Sequence, residues 1–118
     1  EATFGGPSKS PQWIITHCAT FTALMADVFS GRDHATPGDD REPQTWEQAV
    51  AFLEASTEAL CTAIAGLATQ PVESFTMPWG ETMPADHAIF LPGSHVVYHN
   101  GQLNYIQTIL GDAEDHWG

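Results

Sequence analysis

The sequence predicts an all-α domain of three helices, with a short extended segment between the last two. Three observations carry this reading. Apolar residues recur at spacings of three and four over two long stretches, as on one face of a helix. Each of those stretches opens on a helix-start signature. Between residues 70 and 84 the helical period gives way to prolines and glycine.

The first ten residues, rich in Gly, Ser and Pro, read as a loop. Ser10-Pro11 then offers a hydroxyl N-cap followed by proline at the first helical position. Ile14, His17, Cys18, Phe21, Met25 and Val28 follow on one face, which gives a first helix over about 11–29, ending near Ser30-Gly31. Residues 31–43, with Pro37, Gly38, Asp39 and Asp40, read as an exposed loop. Thr45 and Gln48 fit a capping box. Trp46, Val50, Leu53, Leu60, Cys61, Ile64 and Leu67 then mark the core stripe of a second helix over about 45–68. Val72, Phe75, Met77 and Trp79 suit an extended segment with a turn at Trp79-Gly80. The third helix is expected over about 86–110, with Asp86 as N-cap and a kink or restart at Pro92-Gly93. Its stripe is His95, His99, Leu103, Ile106 and Leu110.

With 118 residues, the chain is read as one domain, 1–118, large enough for one core. Fifteen Asp and Glu against three Lys and Arg give a formal net charge of −12. Such a chain repels phosphate backbones and anionic membrane surfaces, so no nucleic acid and no membrane is expected as partner. The apolar runs are too short to predict a spanning helix. Cys18 and Cys61 are too few for a disulfide framework and both read as buried free thiols, which points to a reducing, cytoplasmic setting.

The six histidines differ in kind. His34 and His116 lie in polar or acidic segments, and His87 near a helix start. His17, His95 and His99 each replace an apolar residue in a core-facing stripe. Four residues advance a helix by about 6 Å and little more than one turn, so His95 and His99 project together. With the first helix packed on the third, His17 supplies a third nitrogen from the facing wall. A single such histidine is more often a hydrogen-bonded core residue. Three on facing stripes suit a divalent transition metal with open coordination positions. Cys18 points about 100° away from His17 and does not share the site. Glu81 and His87 are the only nearby candidates for a fourth ligand, and Gln102 is a candidate to orient His99 from behind.

The third helix reads HVVYHNGQLNYIQTILGD, and its His-x-x-x-His-x-Gly-Gln core resembles the DinB-like superfamily of bacterial helical-bundle metalloproteins. Asn100 stands where that family usually has arginine. WIITHCATF matches the Trp-x-x-x-His context of the family's other ligand through Trp13 and His17, and MPWGETMP looks like its link between the last two helices. The resemblance implies an up-down helical bundle and His17, His95 and His99 as metal ligands. It implies a zinc or nickel cofactor and a metal-dependent enzyme, a thiol-dependent transferase or isomerase or a hydrolase, using a small-molecule thiol cosubstrate. The family's bundle has four helices, and no helix is expected here before Pro11. That leads to the expectation of a homodimer or of an absent N-terminal segment. The alternatives are a non-catalytic metal-binding or stress-response bundle and a metal-free helical interaction domain.

Overall fold

The computed structural model describes residues 10–33 and 45–111. His34, His116 and the acidic loop with Asp39, Asp40 and Glu42 lie outside the described residues, and so does the first loop up to residue 9.

Helix α1 spans Pro11–Ser30. Ser10 caps it, its hydroxyl accepting the Trp13 amide at 3.1 Å, while Pro11 occupies the first turn, where its missing N–H leaves no bond unmade. Gly31 ends it in the left-handed conformation (φ 70°), and the Gly31 and Arg32 amides close on the carbonyls of Val28 and Asp27. Helix α2 spans Trp46–Leu67 and starts as expected from Thr45, whose hydroxyl accepts the Gln48 amide at 3.1 Å. Strands β1 (Ser74–Thr76) and β2 (Thr82–Pro84) form the extended segment as an antiparallel hairpin, with Phe75 opposite Met83. Helix α3 is a single turn, Ala85–Ala88, and α4 spans Leu91–Ile109. The interruption at Pro92-Gly93 is therefore a restart, with Pro92 in the first turn of α4. Asp86 lies inside the first turn of α3 and is not its N-cap, a position that falls to Pro84.

The all-α bundle expected from the sequence is what forms. Helix α1 is its centre, with α2 packed along it and α4 against a shorter stretch. Met25, Val28 and Phe29, near the end of α1, share a cluster with Ala63 near the end of α2, so these two helices run in the same direction. Phe21 meets His95 and His17 meets His99, so α4 runs opposite to α1. Within the bundle, the up-down alternation thus holds for the α1–α4 pair and not for α1–α2.

The core stripe of α2 differs from the one expected. Its buried residues are Ala49, Ser56 and Ala63, seven apart, with Leu53 and Leu60 partly buried between them and Leu67 beyond. Trp46 and Cys61 face outward. Small side chains mark the seam because they let two helix backbones approach closely, which a search for large apolar residues overlooks. Cys61 is accordingly exposed, and only Cys18 is the buried thiol that both cysteines were expected to be. Leu110 is also largely exposed, beyond the last residue of α4.

By length and composition, α1 and α2 both qualify as helices that could cross a membrane, which corrects the exclusion drawn from short apolar runs. The same test is passed by core helices of soluble proteins. Half of the qualifying stretch of α1 is buried within the fold, whereas most of α2's is not.

Candidate metal centre

The site follows from one stripe on each of two helices. On α1, Trp13, His17 and Phe21 are spaced by four and line the face toward α4. On α4, His95, His99 and Gln102 line the opposing face. His17, His95 and His99 come together as the sequence predicts, each offering one ligand atom within 4.8 Å of the others. His95 Nε2 lies 3.3 Å from His17 Nε2 and 3.0 Å from His99 Nε2.

The two separations centred on His95 fit a shared ion, while the three ligand atoms as a set lie within 4.8 Å of one another. Metal–nitrogen bonds of about 2.0–2.1 Å set ligand nitrogens roughly 2.9 Å apart at right angles and roughly 3.3 Å apart at the tetrahedral angle. Both observed separations fall at those limits. The donor set is equally suitable: three imidazoles offer borderline-soft nitrogen donors, suited to zinc, nickel or copper more than to calcium or magnesium. Among the described residues no fourth histidine, cysteine, aspartate or glutamate joins the group. Glu81 instead accepts the Trp79 indole N–H at 3.1 Å, and His87 is exposed on α3.

The protonation pattern is compatible with metal ligation. His99 Nδ1 lies 2.6 Å from Gln102 Oε1, an oxygen that only accepts, so the His99 proton sits on Nδ1 and its Nε2 lone pair faces the other two rings. His95 is pushed down to about 4, first by burial and then by the proximity of His99 and His17. It is therefore neutral at pH 7 and available as a donor. His95 Nδ1 is buried without a hydrogen-bond partner, a cost the fold carries at this point. Burial also pushes the Cys18 thiol up, which keeps it protonated and out of the donor set.

Each imidazole is backed by one aromatic ring, which sequence reading alone did not assign. Trp13 stacks on His17 (centroids 4.8 Å, planes 8° apart), Phe21 lies against His95 at 4.3 Å, and Tyr98 meets His99 edge-on at 5.2 Å. The signal was present for two of them, since Trp13 and Phe21 stand four residues either side of His17. Tyr98 is mostly exposed, yet its ring walls the site.

No curated protein and no solved structure matches the chain. The family model of the DinB superfamily matches residues 2–103, a span that includes all three histidines and the Gln102 that orients one of them. With that match covering most of the chain and a three-histidine cluster seated between its helices, the protein belongs to the DinB superfamily.

Proposed function

We propose that this protein is a metal-dependent enzyme in which His17, His95 and His99 hold one divalent transition metal, zinc or nickel. The observation that carries the reading is the gathering of three imidazole nitrogens within 4.8 Å, two pairs of them at ligand spacing, with no fourth protein donor among the described residues. A structural site ordinarily closes its coordination with a fourth protein ligand, whereas a three-ligand site leaves a position for a substrate atom. A metal held there supplies a Lewis acid that lowers the pKa of a thiol or water.

The chain's own residues then divide the work. Gln102 fixes the tautomer of His99, and the rings of Trp13, Phe21 and Tyr98 hold the imidazoles in place and restrict water around them. The reaction class that best suits such a site is thiol-dependent transfer or isomerisation, with hydrolysis as the variant in which water takes the thiol's place. Two free cysteines support a reducing compartment such as the cytoplasm. The outward face of α4 exposes Val97, Tyr105 and Ile109, with Phe90 just before it, and the helix carries no Asp, Glu, Lys or Arg, which favours a homodimer.

Cobalt(II), a spectroscopic substitute for zinc, tests the open position. Adding a small thiol to the cobalt-loaded protein is expected to change its visible absorption as sulfur joins the coordination shell. An unchanged spectrum at saturating thiol would overturn the thiol-dependent reading and favour a closed, non-catalytic site.

A further inference from the structure

The hairpin tip beside the three-histidine cluster is tied down by several contacts despite its exposure. Trp79 is 49% exposed, yet its indole stacks toward Phe21 (6.5 Å, planes 19° apart), and Phe21 in turn lies against His95. The indole N–H is held by Glu81 Oε2 at 3.1 Å. Beneath it, the Met77 amide donates to the Glu81 carbonyl at 2.7 Å and the Gly80 amide to the Met77 carbonyl at 2.8 Å. Gly80 turns at φ 98°, a conformation glycine adopts without strain, and the buried Met77 side chain pins the turn to the core. An aromatic face is thus fixed in advance, one ring beyond a metal ligand.

The electrostatics narrow what that face can meet. Among the described residues the only Lys or Arg is Arg32, at the far end of α1, where it pairs with Asp27 at 3.3 Å. No described cation is placed to clamp an anionic substituent near the cluster, and Glu81 repels one.

We propose that Trp79 is the specificity residue of the site, selecting a substrate whose metal-binding atom is joined to an uncharged aromatic or similarly flat apolar group. This rests on the metal reading above. The ligating atom occupies the open coordination position, and the flat group lies along the Phe21–Trp79 wall. Because the indole is already held by two neighbours, binding loses little side-chain freedom there. A stacked aromatic contact of this kind corresponds to a gain of roughly threefold to tenfold in affinity.

The test uses cobalt-loaded protein and two pairs of probes that share a ligating head: 2-mercaptoethanol against benzyl mercaptan, and imidazole against 4-phenylimidazole. Mercaptoacetate serves as the anionic arm. The aromatic member of at least one pair is expected to bind at least threefold tighter than its partner, with mercaptoacetate the weakest thiol. In Trp79→Ala that gain disappears while cobalt affinity and the two small probes are unaffected. Equal binding within both pairs, or an aromatic gain that survives Trp79→Ala, would overturn the proposal and leave the metal site standing. Failure of the wild-type protein to take up cobalt would overturn both.

Discussion

Helix α1 buries two faces that solve opposite problems. Toward α2 it presents Met25, Val28 and Phe29, and α2 answers across the seam with small residues such as Ala63. The hydroxyls in that seam are satisfied within their own helices: Thr22 donates to the Cys18 carbonyl at 2.8 Å and Ser56 to the Leu53 carbonyl at 3.0 Å. Toward α4 the same helix presents Trp13, His17 and Phe21, and there ring nitrogens face one another with one atom left without a partner. One face contributes stability through burial. The other gathers polar ring nitrogens that could hold a metal ion between them. A core histidine kept for packing would have its buried nitrogens matched to neighbours, and His95 Nδ1 is buried with none.

The contrast can be broken or sharpened by substitution. The largest effect is expected on the α2 side: Phe29→Ala, a 4% exposed ring packed on Phe75, should cost roughly 3–5 kcal/mol in urea unfolding of the metal-free protein. His95→Leu, on the α4 side, should leave metal-free stability at pH 7 unchanged or slightly higher, because a ring whose Nδ1 is buried without a partner is replaced by an apolar side chain. A loss comparable to that of Phe29→Ala would erase the distinction between the faces. Next in size, Gln102→Leu should weaken metal binding about 10- to 100-fold by calorimetric titration, through loss of the His99 tautomer lock, while the helix content by circular dichroism stays the same.

The pH dependence has a definite sign. Since folding depresses His95 from its ordinary 6.5 to about 4, the unfolded chain binds more protons between those values. Stability of the metal-free protein should therefore fall as pH drops from about 6.5 toward 4, and His95→Leu should flatten that slope. An equally steep slope in the variant would place the titrating group elsewhere. The smallest effect belongs to neither face: Ser10→Ala removes the cap of α1 and should cost about 1 kcal/mol in the same unfolding assay.

Most of the architecture could be read from the sequence because its signals are local. Ser10-Pro11, Thr45-Gln48 and Gly31 each act through bonds to residues three or four away, and each occupies the place expected of it. The histidine trio was legible for a related reason, since four-residue spacing on a helix fixes direction without knowledge of the partner. What could not be read depends on which faces meet. Ala49, Ser56 and Ala63 form the α2 seam because α1 comes close there, and nothing local distinguishes them from other small residues on a helix rich in alanine. Trp79 looks like any turn aromatic until the hairpin register brings it over Phe21. Asp86 has the right chemistry for an N-cap, but the hairpin runs directly into α3 and leaves the capping position to Pro84.

The most direct measurement is metal content by elemental analysis of protein purified without an affinity tag, beside a His95→Ala, His99→Ala double variant. About one equivalent of zinc, nickel or a similar divalent metal in the wild type, and none in the variant, is the expected result. Negligible metal in both, even after reconstitution with either ion, would contradict the central claim and leave three histidines packed without a metal in a helical interaction domain.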